Sequence, residues 1–434
     1  MTKRVLLVAF EFPPSNGASI QRIVSVYKKF LKEGWIVDIL TATPFSYPKI
    51  QKGSEKDLPL NAQGRIMRAF SLDALEQIGY RGKHFSSLIT PDRWGLTWYP
   101  SAMLMGSLHL AKHNIDLVWS SAPIPTVHKL GKKLAKQAGA KWIADYRDPL
   151  PYMHSLNNGV LDTIHKKIDR ETMENADLVT FATTSTMELY SKKYLNLIKE
   201  TLVVENGFDP DNFTNAENKI QYYKKAPFRD GFVSFYYAGV LYENGRDPLP
   251  IFEGLSDFKK NNPQTKFEFI FQGSGDGLHF KDEINRLGLT NDIFFLKGVS
   301  IEHALCNMIL SDVLVLIQDE RFNNQVPGKL YEYLASGRTL LLKTPKGSAT
   351  DNVALPFKGV FCSHHNNSIN NNIYDIFKSI STNAKTKPNW DRFPDILKHS
   401  RETQSQILFK KASDICDNNG LNTEKLQGVA SHEH

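Results

Sequence analysis

The sequence predicts an α/β protein built from two doubly wound parallel-sheet domains. Short apolar runs such as Val5–Ala9, Phe267–Phe271 and Val313–Ile317 have the length and composition of strands buried on both faces. Helically spaced segments lie between them, so strand and helix alternate along the chain. The alternation loosens once, in a polar stretch from Asn206 to Pro227, and then starts again. With 434 residues, the chain has room for two domains with separate cores.

In the first domain, placed at 1–210, Val5–Ala9 is the opening strand and Phe12-Pro-Pro-Ser-Asn-Gly17 the loop after it. Ile20, Ile23, Val24, Tyr27, Phe30 and Leu31 follow helical spacing, with Lys28, Lys29 and Lys32 off that face. Gly34 stops this helix, and Trp35–Leu40 is the next strand. Asp116–Ser120 and Lys141–Asp145 repeat the unit around a lysine-rich helix, and Leu178–Phe181 and Thr201–Val204 complete the domain. In the second, placed at 228–395, the strands are Val233–Tyr237, Phe267–Phe271, Ile293–Leu296, Val313–Ile317 and Leu340–Lys343. Residues 396–416 are expected to form a closing helix and 417–434 a polar tail.

Apolar residues make up 41% of the chain and charged residues 23%, which is ordinary globular composition. The net charge of +7 is mild and no long basic run occurs, which argues against a nucleic-acid binder and suits an anionic small substrate or membrane surface. Cys306, Cys362 and Cys416 are odd in number and scattered, so neither a disulfide framework nor a zinc site is expected, and a reducing cytoplasm is the simplest compartment. No apolar stretch approaches the ~20 residues of a membrane span.

The chemistry concentrates in Val326-Pro-Gly-Lys-Leu-Tyr-Glu-Tyr-Leu-Ala-Ser-Gly337. Pro327 suits a first helical turn and Gly337 a left-handed helix end. A helix start gathers unpaired N–H groups and the positive dipole end, so it attracts anions. Lys329, beside Gly328, is unfavourable there unless a bound phosphate reverses the sign of its cost. Glu332, about one turn on, can accept bonds from ribose hydroxyls. The same segment also reads as an ordinary amphipathic helix. A second strand–glycine–loop passage runs from Tyr237 through Gly239 to Arg246, where an arginine can clamp a diphosphate bidentately. Arg246, Lys329 and a helix dipole together offset a leaving diphosphate without metal or cofactor. In the first domain, Gly17 permits close backbone approach to a ligand, with Arg22 about one turn into the helix; such residues also serve tight turns in any fold of this kind.

Five segments then fall in one order: Phe12–Gly17 with Arg22, Ala144-Asp-Tyr-Arg-Asp-Pro149, Asn206-Gly-Phe-Asp209, Ala238–Asp247 and Pro327–Gly337. In this the chain resembles the GT-B retaining glycosyltransferases of family 4 that build bacterial surface polysaccharide. The resemblance implies two facing Rossmann-like domains, with a final helix crossing back to the first. It implies a nucleotide-sugar donor and a lipid-linked or growing-glycan acceptor. Gly17 would approach the diphosphate or sugar, Arg246 and Lys329 would hold the phosphates, and Glu332 the ribose. Asp145, with Arg147 and Asp148 beside it, would meet donor sugar or acceptor; a loop ion pair is their other reading. Many members carry a glutamate eight positions before the one matching Glu332, and Asn324 stands there instead, which bears on the choice of sugar. A nucleotide-sugar epimerase and a non-catalytic sugar-nucleotide scaffold are the alternative readings.

Asp209-Pro-Asp211 resembles a metal-binding acid pair of another glycosyltransferase fold, but its place after Asn206-Gly207 favours a turn and helix cap. The lysines of the helix near 129–142 (Lys129, Lys132, Lys133 and Lys136) read by default as a solvated face; the other reading is electrostatic rather than inserted attachment to an anionic membrane face, since Val127, Leu130, Leu134 and Ala138 share a different, core-facing side. Pro91–Pro100 is expected to be an aromatic loop able to add contacts to membrane or acceptor.

Overall fold

Alternating strand and helix segments fold into two parallel sheets. The structure, a computed structural model, describes residues 2–16, 20–47, 49–51, 53–59, 61, 63–78, 90–150, 159–222, 227–241, 245–382 and 394–427. Contacts divide the chain into two units, Met1–Glu205 with the segment from Arg401 onward, and Asn206–Ser400.

The first unit contains β1 (Arg4–Ala9), α1 (Ile20–Lys32), β2 (Ile36–Ala42), β3 (Ile66–Ala69), α2 (Gly95–Leu110), β4 (Leu117–Ser121) and α3 (Pro125–Ala138). It continues through β5 (Lys141–Tyr146), α4 (Val160–Asn175), β6 (Leu178–Phe181), α5 (Thr184–Lys193) and β7 (Thr201–Val203). Its seven strands are all parallel, in the order β3-β2-β1-β4-β5-β6-β7. Side chains alternate across a strand. Leu6 and Val8 therefore pack with Trp98, Val127, Leu130 and Leu134 of α2 and α3. Val5, Leu7 and Ala9 pack on the other face with Ile23, Val26 and Phe30 of α1.

The second unit contains α6 (Pro210–Lys219), β8 (Val233–Ala238), α7 (Leu249–Asn261), β9 (Phe267–Gln272), α8 (Lys281–Arg286), β10 (Ile293–Leu296) and α9 (Ile301–Leu310). Then come β11 (Val313–Ile317), α10 (Gly328–Ala335), β12 (Thr339–Lys343), α11 (Ala349–Ala354), β13 (Val360–Ser363) and α12 (Asn366–Thr382). Six parallel strands run β10-β9-β8-β11-β12-β13. Tyr236, Leu314 and Leu342 face α9 and α10, while Phe235, Val315 and Leu341 face α7 and α12. In each sheet the strand order reverses beside the first strand. That reversal opens a crevice at the carboxyl ends, where ligands bind in folds of this type.

The last helix, α13 (Arg401–Gln427), returns to the first unit. Leu408 and Ala412 are fully buried in the α1 layer, and the Phe409 ring meets Phe30 edge-on at 5.1 Å. This helix runs through the segment expected as a polar tail from 417 onward. Asn418, Asn419 and Gly420 weaken a helix by less than about 1 kcal/mol each, too little to stop one already formed. Residues 428–434 of the expected tail lie outside the described residues.

Three further elements differ from the sequence expectation. β3 and β13 are edge strands of four residues each, too short to show a period. Much of the Pro91–Pro100 segment is helical, since α2 starts at Gly95 and carries Pro100 inside it. Among the described residues, no helix is long and apolar enough to cross a membrane.

Candidate functional site

At the carboxyl end of β8 the chain turns through Gly239, whose φ of +109° excludes ordinary side chains. The Ala238 N–H donates to the Tyr333 hydroxyl at 3.0 Å, and the Ser274 hydroxyl donates to the Gly239 carbonyl at 2.6 Å. These bonds fix the turn between β9 and α10. The Lys329 ammonium donates to the Ala238 carbonyl at 2.9 Å and lies 3.9 Å from the Tyr237 ring centroid. A Cβ at Gly239 would stand at ordinary contact distance, 3.5 Å, from that nitrogen, so the backbone conformation rather than crowding calls for glycine here.

Arg246 comes from the loop between β8 and α7. Its Nη1 donates to the Val240 carbonyl at 3.0 Å, and its guanidinium carbon lies 5.7 Å from the Phe322 ring centroid. Gly245, with φ +110°, accepts from the Asp319 N–H at 3.2 Å; a Cβ there would come within 2.6 Å of the Phe322 ring. The loop after β11 is thus held against the loop after β8, across the strand-order reversal. Tyr242, Glu243 and Asn244 lie outside the described residues.

The same loop leads into α10. Asn323 accepts from the Ala349 N–H at 2.8 Å and Gln325 from the Thr350 hydroxyl at 3.0 Å, which fixes Asn324 between two anchored carbonyls. Pro327 precedes the helix as its cap residue, with φ −67° and ψ 137°, so Gly328 rather than Pro327 is the first helical position. A proline side chain has no group to cap the helix, which leaves this end open to an external anion. Gly337, at φ +66°, closes the far end as expected.

Burial is the main cause that holds the Lys329 amine well below the ordinary lysine range. The Arg246 charge adds to it, and Glu332 opposes it. A dianionic ligand between these cations would reverse the imbalance and favour the ammonium. Gly239, Arg246, Gly328, Lys329 and Glu332 therefore gather at one crevice of the second sheet, with Asn324 in its bordering loop.

In the first unit the candidates divide. Asp145 is the penultimate residue of β5 and has no exposed surface. Its carboxylate accepts from Arg22 Nε at 3.0 Å, Arg22 Nη2 at 2.6 Å, the Ser121 hydroxyl at 2.7 Å and the Thr180 hydroxyl at 2.5 Å. Four donors occupy its four acceptor positions. Burial alone would raise its pKa, but the Arg22 charge and these hydrogen bonds hold it below the usual carboxylate value. Arg22 also donates to the Val204 and Glu205 carbonyls at 2.6 and 3.0 Å. Asp145 and Arg22 thus tie α1, β4, β5 and β6 together, and in this arrangement the donors named here already occupy both carboxylate oxygens. Arg147 and Asp148 pair with each other at 2.6 Å and remain partly exposed. Gly17 lies outside the described residues. Asp209 accepts from the Asp211 N–H at 3.1 Å and caps α6.

Tyr237, Ser274 and Tyr333 also shape the crevice and were given no role from the sequence. Only the tyrosines had a usable signal: Tyr237 lies two positions before Gly239, and Tyr333 follows Glu332. Among the described residues, no group of three or more His, Cys, Asp or Glu side chains is placed to hold a metal ion.

No family model matches the chain, and no curated protein matches it. Solved structures do. A glycosyltransferase from Rickettsia africae ESF-5 shares 14% identity at a TM-score of 0.65, covering 96% of this chain and 99% of its own. HepE from Anabaena, in complex with UDP, shares 14% identity at 0.55, covering 98% and 100%. A trehalose-6-phosphate structure from E. coli bound with UDP-2-fluoro glucose shares 13% identity at 0.61, covering 95% and 99%. The two parallel-sheet units and these likenesses define the GT-B fold, the class in which this chain stands.

Proposed function

We propose that the protein is a retaining glycosyltransferase of the family 4 kind, moving a sugar from a nucleoside-diphosphate donor to a hydroxyl on a lipid-linked or growing glycan of a bacterial surface polysaccharide. The observation that carries this reading is the approach of Lys329 and Arg246 to the glycine turn of β8, beside an open helix start. That cluster suits a diphosphate. In this reading Glu332 receives the ribose, and Asn324, in the bordering loop, is the residue offered to the sugar. UDP donors are the first to try, because HepE and the E. coli neighbour were solved with UDP compounds.

The reaction follows from the charges. The acceptor oxygen attacks the anomeric carbon on the face from which the diphosphate departs, the carbon–oxygen bond to phosphate breaks, and the leaving phosphate oxygen takes the acceptor proton. Lys329, Arg246 and the first N–H groups of α10 stabilise the charge that develops on it. Asp145, with every acceptor position filled, is not called on as a nucleophile, which favours same-face attack over double displacement. The test is a UDP-sugar panel with glycan and lipid acceptors, read by the anomeric configuration of the product. A retained configuration supports the proposal; inversion, or donor epimerisation without an acceptor, opposes it.

Turnover is expected to survive EDTA within about twofold, since two cations and a helix start already offset the diphosphate charge. Collapse of activity on chelation, with recovery on adding Mg²⁺ or Mn²⁺, would show that the cations are insufficient.

A further inference from the structure

α2 is sixteen residues long, from Gly95 to Leu110, and contains no Asp, Glu, Lys or Arg. One side fills the core, where Trp98 and Ala102 are fully buried. The opposite side carries Leu96, Pro100, Leu104 and Leu108 at a spacing of four, a single stripe about 18 Å long. Leu96 is 47% exposed, Leu104 64% and Leu108 58%. An outward apolar row on a helix without charge marks an interaction surface rather than a solvated face.

α3 lies alongside. The Lys129 ammonium sits 4.4 Å from the Tyr99 ring centroid, and the Ser107 hydroxyl bonds Gln137 Oε1 at 2.8 Å. Both contacts advance by eight residues, so the helices run side by side in the same direction. α3 contains no acidic residue and exposes Lys129, Lys133 and Lys136. Lys132 instead pairs with Glu171 of α4 at 3.0 Å. The apolar face of α3 is spent on the core, with Val127, Leu130 and Leu134 fully buried. On the other flank, the Phe70 carbonyl accepts from the Ser101 hydroxyl at 2.5 Å, and the Phe70 side chain is 54% exposed.

We propose that α2 and α3 form a membrane-docking face in which the leucine row of α2 enters an anionic bilayer while the α3 lysines meet its headgroups. The occupant follows from charge. A two-fold contact between copies through this face would bring two lysine-bearing helices together with no acid on α2 or α3 to offset them, whereas anionic lipid complements them. This revises the expectation of purely electrostatic attachment: the apolar element is α2. The purpose of docking rests on the lipid-linked acceptor reading above, but the docking itself does not.

The full chain is mixed with phosphatidylcholine vesicles, with and without about 30% phosphatidylglycerol, and pelleted at low and high salt. Wild type should pellet with the anionic vesicles and partly resist salt. The double variant Leu104→Ser with Leu108→Ser should bind about tenfold or more weakly at both salts. The triple variant Lys129→Gln, Lys133→Gln, Lys136→Gln should lose the preference for anionic lipid. Both sets of positions are exposed, so melting curves should match wild type, and UDP titration of the same variants separates loss of docking from loss of the donor reading. Wild type that ignores anionic vesicles at low salt, or leucine variants that bind as wild type does, would overturn the proposal. A wild-type dimer that becomes monomeric in the leucine variant would assign the face to a second copy instead.

Discussion

Arg246→Ala and Lys329→Ala are each expected to lower turnover by ~10²-fold or more at saturating donor, because each removes a charge from the leaving diphosphate. The effect falls on kcat, since charge on that group grows in the transition state. Stability should not follow. Burial and the Arg246 charge already disfavour the Lys329 ammonium, so removing it relieves a cost that the free protein carries. Lys329→Met keeps the packing on the Tyr237 ring while deleting the charge, and it should melt as wild type does yet remain slow. Wild-type rates in both alanine variants would remove the diphosphate assignment.

Asp145→Ala is expected to act through stability, by about 3–5 kcal/mol, because it leaves the Arg22 guanidinium buried without its carboxylate. The Ser121 and Thr180 hydroxyls lose their acceptor as well. Arg22→Ala should cost a similar amount by stranding the carboxylate. Replacing both with apolar residues of similar volume should cost much less than either single change, since the desolvation penalty of both charges disappears. The sign with pH follows from the lowered Asp145 pKa: its contribution is complete above the ordinary carboxylate value and is lost as pH falls through the lowered folded value. Chemical denaturation of the single and double variants measures this. An Asp145→Ala protein with a wild-type midpoint but no turnover would return Asp145 to the chemistry.

The sequence made the sheets legible because parallel strands buried on both faces are apolar runs, as in Val313–Ile317. β3 and β13 escaped because Ile66-Met-Arg-Ala69 and Val360-Phe-Cys-Ser363 mix polar or small residues into four positions, whereas the equally short edge strand Ile293–Leu296 is an unbroken apolar run. α2 escaped for a more informative reason. It has no polar face to set a period, and Pro100 reads locally as a break, so only the lack of charge over sixteen residues distinguished it. Lys329 stood out because a cation at a helix start is locally unfavourable, a conflict that a single segment displays. The use of Asp145 was not legible in its own segment. Its partner Arg22 lies 123 positions away, and only the pairing of β4, β5 and β6 beside α1 brings the four donors to one carboxylate.

Calorimetric titration of wild type, Arg246→Ala and Lys329→Ala with UDP, GDP and ADP tests the central claim most directly. The account predicts that wild type binds at least one of them with proton uptake, because the ligand restores the ammonium that burial disfavours in Lys329. Affinity should therefore fall as pH rises from the lowered free value of Lys329 toward its restored bound value. Lys329→Ala should bind at least about tenfold more weakly and lose the proton uptake, and Arg246→Ala should bind more weakly as well. Wild type that binds no nucleoside diphosphate, or variants that bind one as tightly as wild type does, would contradict it.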